Sequence, residues 1–450
     1  MKGEEMEKGP GEESIFKKRG HEIRSTQTSN EASELVKKMY LRGVQSALEG
    51  KPIAWVMVGC LAEALLQAMD VTPIYTENYA TVCASRGEAE PFMDLAAGEG
   101  FSNLICGYTM TGLGYALRMR ELGQVPPDAP LGGMPKPSML IGCSAVCDPR
   151  YKWYQALGRY LDTPYYTFDV LWPPIDADIE EVKGYYIDYL MEGLRGLVAF
   201  LEENTGRKMD MDRLSQIVAT AEETRRVWWQ VHELRKAVPA PMPAQDMLNC
   251  IVPGMFMTGE QDALNFYRKL YDEVKYRVDN KIGVIPDEKY RLLWSGGLPP
   301  WHSMGIFKYF ETLGAVFVTE MAYNLGQPPD IPDRITDPLE RLATGFFQIF
   351  TNYFERARRG CGDPVVQRLL DFITDYKIDA LVNHGTISCR ATTIGQTHQG
   401  NVIREHVKVP ILHIETDIID SRSFSEAHLK DQIDAFIETL ASQKERKCDP

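Results

Sequence analysis

No long hydrophobic run occurs in this chain of 450 residues. Hydrophobic residues make up 44% of it, but charges or glycines interrupt every apolar segment well before the roughly 20 residues that a membrane-spanning helix requires. The first segment, MKGEEMEKGPGEESIFKKRG, lacks the apolar centre of a signal peptide, and we interpret it as a polar lead. We therefore expect a cytoplasmic protein with no membrane partner.

Positive charge is also scarce. The chain has 49 Lys and Arg residues against 63 Asp and Glu residues, which gives a formal net charge of -14. Proteins that track along nucleic acid or anionic membranes depend on the opposite balance, so we expect neither as a partner. A local basic pocket for an anionic ligand is compatible with this composition.

Motifs for nucleotides and for common metal loops are absent. The chain has no GxxxxGK[ST], and the nearest glycine pair, Gly112 and Gly114, lacks the third glycine of a dinucleotide loop and lies in a segment of helical pattern. Cys143 and Cys147 form a CxxxC without the third cysteine of a radical-SAM loop, and no CxxCxxC occurs. We expect that this chain binds no nucleotide, and that any ATP would bind a partner.

Short apolar strands alternate with amphipathic helices in two parts of the chain, which is typical of parallel βαβ units. Between these parts, apolar residues recur at threes and fours and predict helices alone. We find no internal repeat. The pattern predicts an α/β fold: two doubly wound parallel-sheet domains, of Rossmann or flavodoxin-like type, with a helical insert and an N-terminal helical extension. The predicted ranges are 1–49 for the polar lead and first helix, 50–177 for the first α/β domain, 178–285 for the insert, and 286–450 for the second α/β domain with its C-terminal helix.

Nine cysteines, an odd number without a dense framework, indicate a reducing compartment. Cys106, Cys147 and Cys389 each stand where a loop would meet a helix. Three thiolates from distant loops suit an iron-sulfur cluster, because sulfur ligands hold the irons and a missing fourth cysteine leaves one iron open. Spacing alone makes this a weak hypothesis, since free cysteine is among the most buried residue types. We assign the inert, buried role to Cys60, Cys83, Cys250 and Cys361.

The cysteines also have a predicted place in the fold. Cys143, Cys147 and Cys389 follow predicted strands, and doubly wound sheets bind ligands at the carboxyl ends of their strands. We therefore expect these thiols to face one crevice between the two α/β domains.

Three groups of motifs carry a family resemblance. They are CGYTMTGLGYA; CDPRYKWY followed by TPYYTFDV; and HGTISCRATTIGQ followed by VPILHIETDIID and the closing DAFIETL helix. Their order and separation resemble the family of 2-hydroxyacyl-CoA dehydratases and ATP-dependent benzoyl-CoA reductases, over roughly residues 40 to 442. These oxygen-sensitive enzymes draw electrons from a separate ATP-hydrolysing iron-sulfur protein.

The resemblance implies one [4Fe-4S] cluster, with Cys106, Cys147 and Cys389 as its ligands. It implies Cys147 rather than Cys143 because the second ligand of the family stands five residues before a Lys-Trp pair, here Lys152-Trp153. Cys143 is an additional thiol that the family pattern lacks, and it stays an alternative ligand.

Two residues are candidate catalytic groups. Glu63 matches a glutamate that follows a glycine-containing turn after the first strand of the family. In an apolar crevice its pKa would rise and it could pass protons, whereas the alternative is an ordinary glutamate at a helix start. His384, at the end of a predicted strand, could donate a proton or orient a substrate carbonyl, or it could be a satisfied core histidine.

The expected function follows from the resemblance. We expect an iron-sulfur subunit of an ATP-coupled, benzoyl-CoA reductase-like enzyme that reduces an aromatic acyl-CoA by single electrons. Its partners would be a homologous cluster-bearing subunit, ATP-hydrolysing iron-sulfur activator subunits and the acyl-CoA substrate. One alternative is a subunit of an (R)-2-hydroxyacyl-CoA dehydratase that works through a ketyl radical. A further alternative is a non-catalytic partner that relays electrons or whose cysteines hold structural zinc.

Overall fold

A computed structural model describes residues 14–17 and 24–448 of the chain, so most of the predicted polar lead lies outside the described residues. Helix α1 runs from Thr28 to Leu48, within the range 1–49 predicted for the polar lead and first helix. The backbone N–H groups of Gln27 and Thr28 each donate to the carboxylate of Glu273 at 2.7 Å. The backbone N–H groups at the start of a helix have no helical carbonyl as partner, and the carboxylate of Glu273 accepts two of them.

The first α/β domain contains a parallel sheet whose four strands have the order β2-β1-β3-β4. Trp55 in the first strand lies opposite Ile74 on one side and Leu140 on the other. The elements in chain order are β1 Ile53–Val56, α2 Glu63–Ala68, β2 Thr72–Tyr75, α3 Thr76–Arg86, α4 Glu90–Gly98, α5 Gly107–Leu122, β3 Met139–Cys143, α6 Asp148–Leu161 and β4 Tyr165–Phe168.

The insert is entirely helical, as the sequence indicates, and its helices lie within the range 178–285. The carboxylates of Asp178 and Asp210 cap its two longest helices by accepting backbone N–H groups of the first turn. Trp228 stacks on Tyr267, with ring centroids 5.5 Å apart. The helices are α7 Ile179–Thr205, α8 Met211–Leu234, α9 Ala244–Asn249, α10 Ile251–Phe256 and α11 Gln261–Asp279.

The second α/β domain contains another parallel sheet of four strands, in the order β6-β5-β7-β8. Its elements are β5 Tyr290–Gly296, α12 Gly305–Thr312, β6 Ala315–Glu320, α13 Pro338–Thr351, α14 Phe354–Arg359, α15 Pro364–Asp375, β7 Ala380–Thr386, α16 Arg390–Thr393, α17 Gln396–His406, β8 Ile411–Thr416 and α18 Glu426–Cys448. Short 3-10 turns lie at Ile15–Lys17, Pro130–Gly132, Trp301–Ser303 and Ser421–Ser423.

Both sheets have the same internal order, with the second strand at one edge, then the first, third and fourth. This is the order of flavodoxin-like sheets, so the predicted α/β fold with two doubly wound domains is confirmed. The shared order is a structural repeat that the sequence analysis did not find. The exact domain boundaries stay predictions.

One hydrophobic core links the parts of the molecule. Trp55 and Trp153 of the first domain and Trp294 of the second are buried in the same cluster of apolar side chains, which also includes residues of the insert. The two sheets therefore pack against one shared core. No helix in the described ranges is long and apolar enough to cross a membrane.

Candidate active site

The three candidate cysteines each directly precede a helix. Cys106 is the residue before α5, Cys147 the residue before α6 and Cys389 the residue before α16. All three side chains are partly exposed. The buried position expected for Cys60, Cys83 and Cys250 is confirmed, whereas the expectation for Cys361 is wrong, because its side chain is partly exposed. The predicted loop-to-helix positions are thus confirmed. Backbone N–H groups at a helix start favour the thiolate form that binds metals.

The loops of Cys106 and Cys389 are tied to each other across the two domains. The backbone N–H of Gly107 donates to the Ser388 hydroxyl at 3.3 Å, and Ser388 in turn donates to the carboxylate of Asp417. A Cβ atom on Gly107 would lie 2.8 Å from Cβ of Ile419 and 2.9 Å from Oδ1 of Asp417. Only glycine allows this approach, so residue 107 brings the two cysteine loops together.

The three thiols also affect one another electrostatically. Burial raises the pKa of Cys106, and the thiols of Cys389 and Cys147 raise it further. Burial raises the pKa of Cys147 to about 11, although the guanidinium of Arg150 opposes the rise. Electrostatic effects of this kind weaken with distance, which agrees with the hydrogen bond that ties the loops of Cys106 and Cys389.

Cys143 and Cys147 differ in what their sulfur atoms contact. The buried Sγ of Cys143 lies 3.4 Å from the carbonyl oxygen of Gly59 and accepts from the N–H of Ala145 at 3.2 Å. Cys147 instead borders an open groove of about 540 Å³ beside Lys152. The geometry therefore favours Cys147 over Cys143 as the thiol available to an external group.

The donor set fits an iron-sulfur cluster. Such a cluster takes soft thiolates, each on a different iron, from loops that can lie some distance apart. Cys106, Cys147 and Cys389 supply three partly exposed thiols of this kind. A single metal ion instead needs three or more ligand side chains that converge on one point. In residues 14–17 and 24–448, no group of His, Cys, Asp or Glu side chains does this.

A buried ion pair adjoins Cys147. Arg150, in the first turn of α6, donates to the carbonyl oxygen of Val58, and its Nε lies 2.8 Å from Oε1 of Glu77 at the start of α3. Glu77 also accepts the N–H of Val58 at 2.7 Å. Because both partners gain these additional hydrogen bonds, the pair is tolerated in the interior. The sequence analysis missed this pair, although Arg150 belongs to the CDPRYKWY motif.

A cavity of about 360 Å³ opens between the strand ends and the helices α1, α3 and α10, and none of the three candidate cysteines lines it. Tyr108, two residues after Cys106, lines its inner end together with Trp301 and Tyr323. Trp301 Nε1 donates to the Tyr108 hydroxyl at 2.7 Å. The cavity volume lies within the range of small-molecule binding sites, and its wall is rich in aromatic side chains.

Tyr323 enters this cavity from a strained turn after β6. Its φ angle is +64°, in the left-handed region that bulky residues rarely adopt. Strain of this kind persists only where the surrounding structure enforces it, and it is concentrated at functional sites. No pattern in the sequence indicates the strain, because no glycine or asparagine marks the position.

Glu63 is the first residue of α2 and is partly buried. Burial raises its pKa to about 7, while the guanidinium groups of Arg225 and Arg150 act in the opposite direction. The raised pKa agrees with the proton-transfer alternative, and the position agrees with the alternative of a glutamate at a helix start. Glu63 does not line the aromatic cavity, and its role in proton transfer stays a prediction.

His384 lies in β7 with no exposed surface. Its Nδ1 is 2.6 Å from the carbonyl oxygen of Leu298, and its Nε2 is 2.7 Å from the hydroxyl of Thr416. Burial lowers its pKa to about 4, so the ring is neutral at pH 7. This is the geometry of a satisfied core histidine, and the catalytic role stays a prediction.

The fold and the site define a class: a protein of two flavodoxin-like domains that enclose a three-thiol region and an aromatic cavity. Comparison with known proteins names the family. The family model described as 2-hydroxyglutaryl-CoA dehydratase, D-component, matches residues 60–440, and the chain belongs to this family. The resemblance in the sequence analysis is thereby confirmed.

Curated relatives cover almost the whole chain. The (R)-phenyllactyl-CoA dehydratase alpha subunit of Clostridium sporogenes is 23% identical over 430 residues, 95% of this chain and 99% of its own. The (R)-2-hydroxyisocaproyl-CoA dehydratase alpha subunit of Clostridioides difficile is 24% identical, over 92% of this chain and 96% of its own. A benzoyl-CoA reductase subunit of Thauera aromatica is 26% identical, again over 92% and 96%. The chain is therefore an enzyme subunit of dehydratase or reductase type, as expected.

Proposed function

We propose that the chain is the iron-sulfur subunit of an ATP-coupled, benzoyl-CoA reductase-like enzyme that reduces an aromatic acyl-CoA by single electrons. The observation that carries this proposal is that the segment after Cys106 forms part of the cavity wall. Tyr108 lines the aromatic cavity and follows Cys106 by two residues. An acyl group in the cavity would therefore lie beside the candidate ligands.

In this proposal Cys106, Cys147 and Cys389 hold one [4Fe-4S] cluster. When bound, the cluster would supply electrons one at a time at low potential. The protein contributes the geometry around it. The bond between Gly107 and Ser388 sets the spacing of two ligand loops, and the buried Arg150 places a positive charge near the third. A neighbouring cation favours thiolate over thiol.

The cavity wall supports an aryl substituent on the substrate. Tyr108, Trp301, Tyr323 and Phe256 all line it, and aromatic rings pack favourably edge to face or offset against one another. Two of the relatives are named for aromatic acyl groups, benzoyl in one and phenyllactyl in the other. Both names support an aromatic acyl-CoA as the substrate. One relative is named as a reductase and the other as a dehydratase, so the names leave two reactions open.

Proton supply falls to Glu63 or His384 in this proposal. A carboxyl group with a pKa of about 7 is protonated in about half of the molecules at neutral pH, which suits a general acid. His384 is less suited in this state, because both of its ring nitrogens already have partners. Glu63 is therefore the first residue to test.

The proposed assembly contains further chains. Relatives are named as subunits, which supports a hetero-oligomer. We propose a homologous cluster-bearing subunit and ATP-hydrolysing iron-sulfur activator subunits as partners, in the cytoplasm. ATP would bind the activator, so the purified chain alone should neither bind nor hydrolyse ATP. Stoichiometric ATPase activity in the pure chain contradicts this assignment.

The second candidate function is a dehydratase subunit. The names of the relatives from Clostridium sporogenes and Clostridioides difficile favour it. In that reaction, reduction of the thioester carbonyl gives a ketyl radical that expels the 2-hydroxyl group. A third candidate, a subunit that only relays electrons, requires the cluster but no substrate in the cavity.

One experiment separates these candidates. The chain is purified without oxygen, its iron, sulfide and zinc are measured, and its EPR spectrum is recorded. The enzyme reconstituted with partner and activator then receives benzoyl-CoA or (R)-phenyllactyl-CoA. A ring-reduced thioester supports the reductase, and an unsaturated acyl-CoA supports the dehydratase. A cluster without turnover of either substrate supports electron relay, and stoichiometric zinc without iron overturns the proposal.

A further inference from the structure

The aromatic cavity extends from the strand ends to the protein surface along helix α3. Glu77, in the first turn of this helix, lines the inner end of the cavity, and Arg86, its last residue, lines the outer end. The rise of an α-helix places these two positions about 14 Å apart along the axis. The cavity is thus long enough for a ligand with an acyl group at one end and a polar group at the other.

The outer end of the cavity is positively charged. Arg24, Lys37 and Arg86 line it, and no ion pair within residues 14–17 and 24–448 includes any of them. Glu34 is the carboxylate at this end. Three cations without carboxylate partners form an unusual local excess in a chain whose net charge is -14.

Arg24 is held in place by neutral groups. Its Nη1 donates to the carbonyl oxygen of Ser29 at 2.6 Å and its Nη2 to the hydroxyl of Ser33 at 2.8 Å, while its Nε is buried without an acceptor. The following backbone is fixed, because the N–H groups of Ser25 and Thr26 donate to the carboxylate of Asp246. Burial lowers the pKa of Arg24, and the nearby Cys250 thiol and Asp246 carboxylate offset this only in part, so a bound anion would stabilise the charged guanidinium further.

We propose that Arg24, Lys37 and Arg86 bind the phosphate groups of a coenzyme A thioester whose acyl end lies against Tyr108 and Tyr323. Arginine suits this role because its guanidinium can donate two parallel hydrogen bonds to a phosphate. The span along α3 is one that the long pantetheine arm of coenzyme A can cover. This inference rests on the proposed function for the thioester, and it adds the site that holds the nucleotide end.

Calorimetric titration of the full chain, alone and with its partner subunit, tests the site with benzoyl-CoA and with benzoyl-pantetheine, which lacks the nucleotide phosphates. The triple variant Arg24→Gln, Lys37→Gln, Arg86→Gln should bind benzoyl-CoA at least tenfold more weakly and with less dependence on salt. Its affinity for benzoyl-pantetheine should stay unchanged. A double variant, Lys37→Gln with Arg86→Gln, covers the case in which loss of Arg24 impairs folding.

A matched control removes the same charge elsewhere. Arg334, Arg358 and Lys408 are exposed, form no ion pair in the described part of the chain and do not line the cavity. Their combined change to glutamine should leave both affinities unchanged. An equal loss in the control overturns the inference in favour of general electrostatic attraction, as does unchanged affinity in the cavity variants. If the wild-type protein binds neither thioester, the proposed function itself fails.

Discussion

The two α/β domains use one architecture to place different parts of the site. Cys147 follows β3 and Cys389 follows β7, and each of these strands is the third in its own sheet. A serine in the same loop, Ser144 or Ser388, bonds to an aspartate that directly follows the fourth strand. The loop after the third strand of each domain thus carries a serine and a candidate cysteine, although their spacing from the strand end differs.

The difference between the domains lies in those aspartates. Asp169, after β4, is exposed and accepts from Ser144 and Tyr189. Asp417, after β8, is 4% exposed and also accepts the N–H groups of Ile419 and Asp420 at 2.9 and 3.0 Å. The same arrangement is therefore a surface contact in the first domain and an internal support of the domain junction in the second.

The strongest effect should come from the three candidate cysteine ligands, of which Cys147 and Cys389 follow the third strands of their sheets. Cys106→Ala, Cys147→Ala and Cys389→Ala should each remove most of the iron, because two thiolates cannot hold the cluster against solvent. Cys60→Ala serves as the control and should retain the iron. Iron and sulfide analysis of protein purified without oxygen measures this. Full iron in the Cys147 variant together with loss in Cys143→Ala would transfer the second ligand to Cys143.

The next prediction tests whether Glu63 of the first domain or His384 of the second domain supplies the proton. Glu63→Gln keeps the shape of the side chain but removes its titrating group, so turnover should fall by about 10² or more with an unchanged cluster spectrum. If Glu63 is only an ordinary glutamate at a helix start, the rate should hardly change, and stability should change by less than about 1 kcal/mol. Iron content and activity are measured on the same preparation. Normal activity makes His384 the next residue to test.

Substitution of the two equivalent aspartates tests the junction directly. Asp417→Ala leaves buried donors without an acceptor and should lower the free energy of unfolding by roughly 4 kcal/mol. Asp169→Ala removes exposed bonds and should cost less than about 1 kcal/mol. Urea unfolding of both variants measures the difference. Equal losses would contradict the view that only the second domain uses its aspartate as an internal support.

A weaker effect concerns how folding stability depends on pH, to which Glu63 of the first domain and His384 of the second contribute in opposite directions. The pKa of Glu63 rises from 4.5 to about 7 on folding, so its contribution to stability is lost as the pH rises through that interval. The pKa of His384 falls from 6.5 to about 4, so its contribution is lost as the pH falls through that interval. Each effect has an upper limit of about 3 kcal/mol.

The two variants should therefore change the stability profile in opposite ways. Between pH 4.5 and 6.5, Glu63→Gln should make stability rise more steeply with pH, and His384→Asn should make it rise less steeply or fall. Urea titrations across this interval give the slopes. Parallel profiles for the wild type and both variants would show that neither group changes its pKa on folding.

Much of the fold follows from local pattern. Short apolar runs that alternate with amphipathic helices predicted the two α/β domains, and spacing at threes and fours predicted the helices of the insert, because periodicity reflects which faces become buried. The shared strand order of the two sheets could not be predicted in this way. Strand order depends on pairing between distant segments, and the two domains show no repeated sequence that would indicate it.

The candidate site also has a part that the sequence predicted and a part that it could not predict. Cys106, Cys147 and Cys389 could be selected from their motifs because each motif contains both the thiol and the start of the following helix. The pairing of Arg150 with Glu77 could not, because these residues are far apart in sequence and meet only when α6 packs near α3. Contacts of this range leave no local pattern.

Short segments of the chain were enough to establish the family, the class of fold and the positions of the thiols relative to helices, since all of these follow from motifs and periodicity. Which thiols are open depends on packing between distant segments, with Cys143 enclosed by backbone groups and Cys147 facing a groove. The same packing brings Tyr323 and Tyr108 into one cavity. Burial and contact between domains are properties of the whole packed chain, and no segment carries them alone.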